Sequence, residues 1–325
     1  MFKKNAQYLL LLLSSITLSA DQVSFSLYND FFAGNDGHFS NGVAFTWLED
    51  NKENAYTNLL LDGLNTLDIK VDSSKKYNAG VSLTQLMLTP NDTTLSTVQY
   101  NDMPYAGYLA LSTYLIASDS DSFIEYAFDL GAIGPASLAK HTQNSFHGII
   151  GNNKAQGWDT QLGTQITVNL LLQYGEISWE GQVSDDLNAD WFNHAGLSLG
   201  NFNTSASAGT ALRIGQNYVR NFNEHYPYLR EEVTLVDIAP EHKGFGWSVS
   251  SGLDTELVAY SYIFDEAKDQ GYQTNKERVI LAAHLSGDIY YDNHKFSFFY
   301  QGQTPFTKQD NSNNYFGGIV YSYKF

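Results

Sequence analysis

Tyr315-Phe316-Gly317-Gly318-Ile319-Val320-Tyr321-Ser322-Tyr323-Lys324-Phe325 ends the chain, and this stretch decides the predicted fold. Side chains of a β-strand alternate between its two faces. Ile319, Tyr321, Tyr323 and Phe325 therefore share one face, which is apolar and mostly aromatic. The stretch predicts a terminal strand that buries this face against an apolar environment.

The same two-residue period recurs upstream of the terminal strand. It is clearest at residues 23–28, 42–47, 166–170 and 295–300, with longer aromatic-ended runs at 105–117 and 279–291. Short polar turns interrupt it at residues 119–122 and 292–294. About twelve strands follow from this pattern, which is typical of a transmembrane β-barrel. A soluble all-β sandwich gives the same alternation, so the period alone leaves both folds open.

The two ends of the chain favour the barrel. A terminal aromatic residue preceded by apolar residues at every second position resembles the assembly signal of bacterial outer-membrane barrels. At the other end, Lys3 and Lys4 precede an apolar run and the small-residue site Leu18-Ser19-Ala20, which is the pattern of a secretory signal peptide. We expect a signal peptide at residues 1–20 and one outer-membrane domain at residues 21–325. The expected fold is an all-β, transmembrane antiparallel β-barrel of about twelve strands with a short extracellular loop helix.

Composition excludes several function classes. The chain has 35 acidic and 18 basic residues, a net charge of -17 and no cysteine. Nucleic acid is an unsuitable partner because its phosphates would be repelled. The lack of cysteine excludes disulfides, thiol catalysis and cysteine-ligated zinc. An acidic chain remains compatible with a divalent cation that prefers oxygen ligands.

A candidate site lies in the loop helix. The stretch from Asp129 onwards begins as a strand, breaks at Gly134-Pro135 and continues as a short helix. Gln143 and His147 are four residues apart, so they share one face of that helix. If both ends of the barrel face the periplasm, this loop is extracellular. The same parity requires a long periplasmic connection near residues 218–243.

Other polar residues fall at the same predicted height. Asn29 and Asp30 end the first strand, and Ser40 begins the second. A carboxylate, an amide, a hydroxyl and an imidazole at one rim can bind a cation and activate water. Taken singly, each is also an ordinary polar residue at a strand end. The remaining histidines are predicted to be surface or rim residues: His38, His141, His194, His225, His242, His284 and His294.

Six short motifs occur in order and together resemble the lipid A 3-O-deacylase family of Gram-negative outer-membrane barrels. The resemblance extends from Tyr28 to about Gly215 and returns in the terminal strand. The motifs are Tyr28-Asn29-Asp30-Phe31-Phe32, Asp36-Gly37-His38-Phe39-Ser40-Asn41-Gly42, Leu88-Thr89-Pro90, Asp102-Met103-Pro104-Tyr105-Ala106-Gly107-Tyr108, Leu130-Gly131-Ala132-Ile133-Gly134-Pro135-Ala136-Ser137 with Gln143 and His147, and Gln156-Gly157-Trp158-Asp159-Thr160-Gln161.

The resemblance implies a twelve-stranded barrel and a calcium-dependent ester hydrolase of the bacterial outer membrane. Its substrate would be lipid A of lipopolysaccharide, from which it removes the 3-linked acyloxyacyl group. Its partners would be this lipid and the surrounding outer-membrane lipids, and we expect it to act as a monomer.

The family pattern also assigns roles. His147 would be the general base, with Gln143 on the same active-site face and Ser40 lining the site opposite. Calcium would be held by Asn29 and Asp30, with Asn153 where the family has an acidic residue.

That amide is one departure from the family, since it brings no charge to the metal. Met103 is another, in a place where the family usually has arginine. Two further functions stay open: an outer-membrane phospholipase and a non-enzymatic pore or structural barrel.

Overall fold

The chain forms a closed antiparallel barrel of twelve strands. The computed structural model describes residues 21–33, 38–49, 55–150, 154–219 and 243–325. Neighbours in sequence pair throughout, and β1 pairs with β12 to close the barrel. The strands are β1 Gln22–Asn29, β2 His38–Glu49, β3 Lys76–Thr89, β4 Ala106–Ser118, β5 Ser122–Ile133, β6 Gln165–Ser184, β7 Leu187–Gly200, β8 Asn203–Gln216, β9 Phe245–Ser261, β10 Val279–Tyr291, β11 His294–Gln303 and β12 Asn314–Lys324. The predicted fold class is confirmed, and the sandwich is wrong because closure leaves neither β1 nor β12 as an edge.

Alternation separates a lipid-facing surface from the lumen. In β10 the exposed residues include Leu281, Leu285 and Ile289, and the alternate positions, such as Ala282, His284 and Ser286, are buried. Closure pairs the backbone groups of every strand with a neighbour, as a hydrocarbon environment requires. Among the described residues no helix is long and apolar enough to cross a membrane.

Loop lengths orient the barrel. At the end that carries both termini, three of the five connections have only two or three residues. At the other end, five of the six connections have eight or more. Outer-membrane barrels have short periplasmic turns and longer extracellular loops, so the termini lie on the periplasmic side. The connection between β8 and β9 falls on that side as predicted, although residues 220–242 lie outside the described ranges.

Three described α-helices lie in the connections. The predicted loop helix is α2, Ala139–Ile150, between β5 and β6 on the extracellular side. The sequence did not predict α1, Ala55–Thr66, between β2 and β3 on the periplasmic side, or α3, Tyr262–Asp269, between β9 and β10. The predicted signal peptide lies outside the described residues and stays a prediction.

The extracellular mouth of the lumen is packed with apolar side chains. Ile263, Phe264 and Ala267 of α3 are fully buried in a cluster that includes lumen-facing residues of several strands. The loop of residues 90–105 crosses the mouth, because the backbone N–H of Gln273 donates to the carbonyl of Tyr100 at 2.7 Å. α3 and this loop therefore pack together over the extracellular end of the lumen.

Below this plug the lumen is polar. Asp254 accepts hydrogen bonds from His194 Nε2 and His284 Nδ1, both at 2.9 Å, and all three side chains are buried. The prediction that His194 and His284 are surface or rim residues is therefore wrong. His194 on β7 and His284 on β10 face the lumen, where both contact Asp254 of β9. In sequence Asp254 is sixty residues from His194 and thirty residues from His284.

Candidate active site on the outer face of the barrel wall

One row of residues crosses four strands near the extracellular end. Asn29 pairs with Asn41, Asn41 with Met87, and Met87 with Gly107. Asn41, Met87 and Gly107 each lie four residues from an exposed apolar residue of the same strand, namely Phe45, Leu83 and Leu111. Asn29 lies four residues from Phe25, which pairs with Phe45. The row therefore lies on the outer face of the wall and not in the lumen.

The chain after β5 turns back over this outer face. Gly134 has a φ of 80° and starts a 3-10 turn with Pro135 in its first positions. A Cβ at Gly134 would lie 2.4 Å from the carbonyl oxygen of Leu162, so both the conformation and the contact require glycine. The predicted break at Gly134-Pro135 is confirmed. The helix α2 continues through Gly148 to Ile150.

The start of α2 lies directly on the wall. A Cβ at Gly107 would approach Ser137 Oγ to 2.1 Å and Ala139 Cβ to 2.3 Å. The outward-facing Gln85 donates from Nε2 to the carbonyl of Ser137 at 2.5 Å. Gly107 thus lets the helix approach the outside of β3 and β4, and Gln85 fixes the approach.

Gln143 is held on the wall side of α2. Its side chain is buried, and its Oε1 accepts a hydrogen bond from Trp158 Nε1 at 2.6 Å. Trp158 is fully buried in a cluster with Met87, Tyr105, Ala139 and Ala155. His147 follows one turn later and is half-buried. Met87 connects the two halves of the site, because it packs in the Trp158 cluster and pairs with Asn41 on the neighbouring strand.

Oxygen donors lie at the extracellular ends of β1 and β2. Asp30 is buried in a 3-10 turn that follows β1, and Asn29 is half-buried. Asn41 is buried, and in the described part of the chain its Oδ1 has no hydrogen-bond partner. A buried carbonyl oxygen without a donor is costly in an apolar setting, so it is a suitable ligand position for a cation.

Of two further predicted site residues, the structure describes only the backbone of Ser40 and nothing of Asn153. The backbone of Ser40 lies at a β-bulge between Phe39 and Asn41, whereas its side chain is outside the described residues, as is all of Asn153. The roles of both stay predictions. Asp159, the next acidic residue, has a side chain that is 83% exposed and pairs with Lys140 at 2.5 Å, so it does not line the wall.

The donor set fits a hard cation such as calcium. Asn29, Asp30 and Asn41 offer amide and carboxylate oxygens, the ligands that calcium prefers. Among the described residues no three His, Asp or Glu side chains form a group that could hold a metal ion, so amide oxygens would have to complete a calcium site around Asp30. The residues present therefore fit the implied metal, with Asp30 as the charged ligand.

Sequence reasoning missed Asn41 and Trp158 as site residues. Both stand in the quoted motifs, but neither carries chemistry that marks it alone. Asn41 was detectable, because a hairpin that joins β1 to β2 sets it opposite Asn29. The contact from Trp158 to Gln143 spans a loop and leaves no periodic signal.

A cavity of about 480 Å³ opens elsewhere on the extracellular side. It lies between residues 90–105 and 304–313 and is lined by polar residues that include Asn91, Gln99, Tyr100, Asp102 and Gln309. None of the predicted site residues lines it. Beneath it Tyr100 stacks edge-on with Tyr272, and burial raises the pKa of Tyr272 to about 12.

A family model described as outer membrane protein LpxR matches residues 7–325. No curated protein sequence gives a significant match. The solved structure of LpxR from Salmonella typhimurium matches with a TM-score of 0.74 and 13% identity, over 94% of this chain and 100% of that chain. At that identity the likeness is one of fold.

Other barrels are less similar. The translocator domain of the autotransporter NalP from Neisseria meningitidis has a TM-score of 0.42 and 10% identity, over 100% of this chain and 95% of that chain. The KdgM porin has a TM-score of 0.37 and 8% identity, over 94% and 99%. The family model spans nearly the whole chain, so this bacterial outer-membrane protein belongs to the outer membrane protein LpxR family, the lipid A 3-O-deacylases whose motifs it carries.

Proposed function

We propose that this protein is a calcium-dependent ester hydrolase that removes the 3-linked acyloxyacyl group from lipid A in the outer leaflet. One observation supports the proposal above the others: the helix with Gln143 and His147 lies against the outer face of the wall at its extracellular end. An ester of a leaflet lipid reaches that place by lateral diffusion. It would not need to enter the lumen.

The described residues divide the work of hydrolysis. His147 accepts a proton from a water molecule, whose oxygen attacks the ester carbonyl. The acyl C–O bond to the 3-oxygen of the sugar then breaks, the acyloxyacyl group leaves as a carboxylic acid, and His147 returns the proton to the sugar oxygen. Gln143 is the positioning residue on the same helix face, because Trp158 fixes its side chain. Asn29 and Asp30 would hold calcium, and Asn41 would add a third oxygen. When bound, calcium polarises the ester carbonyl and stabilises the negative charge that develops on its oxygen.

The lumen supports an enzyme better than a pore. The extracellular end is packed by α3 and crossed by residues 90–105, and buried polar networks lie below it. A continuous water path through these described elements would require their displacement. The acyl chains of a substrate instead have an apolar surface beside the site, since Leu27, Val43 and Phe45 follow the row on the same outer face.

Mass spectrometry of lipid A tests the reaction. Cells that produce the protein should yield lipid A that lacks the 3-linked acyloxyacyl group, and cells without it should yield intact lipid A. Glycerophospholipids of the same cells should be unchanged. Fatty acid release from phospholipid vesicles that lack lipid A, with lipid A untouched, would favour the phospholipase instead.

Calcium and Asn153 are tested together. Chelation should abolish acyl release from folded protein, and calcium should restore it. If the family's acidic position is Asn153, Asn153→Glu should raise activity at limiting calcium and have less effect at saturation, because ligand charge tunes affinity in oxygen sites. An unchanged calcium dependence in Asn153→Glu would mean that the acidic position is elsewhere.

A further inference from the structure

The helix α1 lies outside the barrel, on the periplasmic half of β3 and β4. Tyr56 hydrogen-bonds to Thr113 and donates to the carbonyl of Gly80 at 3.3 Å. It packs in a cluster with Tyr77, Ala79, Leu115 and Ala117. Alternation puts these last four on the same face as the exposed Leu83 and Leu111. The helix therefore covers a part of the wall that would otherwise contact lipid.

The level of this contact is the periplasmic edge of the membrane. Val81 packs against the α1 cluster and pairs directly with Trp47 of β2. Trp47 is on the outer face and is 37% exposed. Exposed aromatic residues of outer-membrane barrels form girdles at the membrane–water interfaces. The neighbour of Trp47 lies under α1, so the helix runs at the height of this girdle.

The surface of α1 has an apolar part that the wall does not cover. Leu60 and Leu64 face the wall with Tyr56. Leu59, Gly63 and Leu67 are spaced four apart beside them, and Leu59 and Leu67 are 48% and 71% exposed. Asn58, Asp62 and Asn65 occupy the other side and are exposed. An arc of leucines between a wall and a polar face is the pattern of a helix in a membrane interface.

Charge does not account for the position of the helix. Residues 55–76 contain three acids, Asp62, Asp68 and Asp72, and three bases, Lys70, Lys75 and Lys76. Their formal charges cancel. Attraction to anionic headgroups is therefore a minor contribution, and burial of the exposed leucines is the major one.

We propose that α1 is an interfacial helix that inserts the Leu59–Leu67 side into the phospholipid acyl chains of the periplasmic leaflet. The side with Asp62 faces water and headgroups. The partner is the leaflet itself, and the surface is continuous with the lipid-facing wall. The outer face of β3 and β4 is then covered by α2 at the extracellular end and by α1 at the periplasmic end. Only a short apolar band around Leu83 and Leu111 contacts lipid directly. This inference does not depend on the proposed hydrolysis.

Site-directed spin labelling tests the placement, because the chain has no cysteine and each introduced one is unique. Leu59→Cys and Asp62→Cys are the matched pair, three residues apart on one helix. Leu281→Cys on the lipid face and Asp186→Cys in a periplasmic turn calibrate the scale. The labelled protein is reconstituted in phosphatidylethanolamine–phosphatidylglycerol vesicles, and collision with oxygen is compared with collision with a water-soluble nickel chelate.

The expected result is a high oxygen-to-nickel ratio at Leu59, as at Leu281, and a low ratio at Asp62, as at Asp186. High salt should not change the contrast, since the charges cancel. Leu67→Cys repeats the measurement just beyond the helix, in case a label at Leu59 perturbs folding. Nickel access at Leu59 and Leu67 equal to that at Asp186 would overturn the proposal. Low collision with both reagents at Leu59 and Leu67 would also overturn it, because the leucines would then be covered by protein.

Discussion

The histidines of the lumen and the histidine of α2 have opposite surroundings. His194 and His284 are buried inside the barrel and share the carboxylate of Asp254. His147 is half-buried on the outside, on a helix against the wall. In this barrel the buried histidines that share a carboxylate belong to the scaffold. Chemistry is expected where a histidine meets the leaflet that holds the substrate.

Both regions contain buried polar atoms that have no hydrogen-bond partner among the described residues. In the lumen, Asp254 uses both carboxylate oxygens on the two imidazoles, whereas Asp190 binds Arg213 and Tyr218 through Oδ2 alone, and its buried Oδ1 has no partner among the described residues. On the outer face, Asn41 Oδ1 is buried without a described partner. A buried oxygen without a partner is therefore not peculiar to the outer face, and Asn41 is a candidate ligand because it also pairs with Asn29 in the row on that face.

The largest effect should come from exchanging one histidine in each region. His147→Ala should lower acyl release by about two to four orders of magnitude, the usual contribution of a general base, while the barrel still folds. His284→Ala should lower the temperature at which the folded band on an unheated denaturing gel is lost. Its activity per folded molecule should match the wild type.

Either variant can contradict the assignment of catalysis to the outer face and of stability to the lumen. Full lipid A processing by folded His147→Ala would remove His147 from the chemistry. Loss of activity in folded His284→Ala would show that the lumen takes part in it. Mass spectrometry of lipid A and the gel shift of the same preparations give both readings.

A smaller loss should follow from moving α2 off the wall. Gly107→Ala introduces a Cβ about 2 Å from Ser137 and Ala139, as the close contacts at this glycine require. We expect reduced acyl release because Gln143 and His147 shift relative to Asn41. Gly148→Ala is the matched control, since a Cβ there meets nothing within 4 Å and alanine favours a helix by about 1 kcal/mol. Equal activities of the two variants would mean that contact with the wall does not position the site.

The sequence predicted the barrel but not the side of the wall on which the site lies. Residues 279–291 were predicted as a strand and form β10 with the same bounds, because alternation depends only on neighbouring residues. The rim position of Asn29, Asp30 and α2 followed from strand parity. The outward direction of Asn29 follows from alternation in β1, but the position of α2 on the outer face depends on the 3-10 turn at Gly134 and on the close contact at Gly107, which are tertiary features.

The alternation of side chains in the sequence predicts neither the helices α1 and α3 nor the hydrogen bonds of the lumen. α1 has leucines on more than one side, and α3 is a short segment of mixed polarity, so neither gives a strand or a clear helix signal. His284 sits among alternating residues like any lumen position. Its partner Asp254 is on the next strand, and only the register between β9 and β10 brings the two together.

The lumen network should affect stability and not catalysis. Asp254→Asn keeps the shape of the side chain but removes the charge that both imidazoles bond. Hydrogen bonds to a charged group contribute about 1.5–3 kcal/mol each, so we expect a clear drop in the temperature of band loss. Ser250→Ala is a control for a lumen substitution without a charge. If the folded Asp254→Asn protein lost acyl release while Ser250→Ala kept it, the separation between scaffold and site would fail.

The smallest effect should come from the periplasmic turn between β4 and β5. Asp119 binds Lys75 Nζ at 2.6 Å, and its other oxygen accepts the backbone N–H groups of Asp121 and Ser122 at 2.9 and 2.8 Å. The Lys75 contact, with these N–H groups, holds the pKa of Asp119 well below its ordinary value. A depressed pKa contributes stability above the unfolded pKa of about 4, and this contribution is lost as the pH falls towards the folded value.

The turn is partly exposed, so we expect Asp119→Asn to cost about 1 kcal/mol or less at neutral pH. The gap in unfolding temperature between wild type and variant should narrow as the pH is lowered below about 4. A gap that stays constant down to low pH would mean that the turn is held by its geometry and not by the charge of Asp119. Acyl release should not change, because the turn is at the opposite end of the barrel from α2.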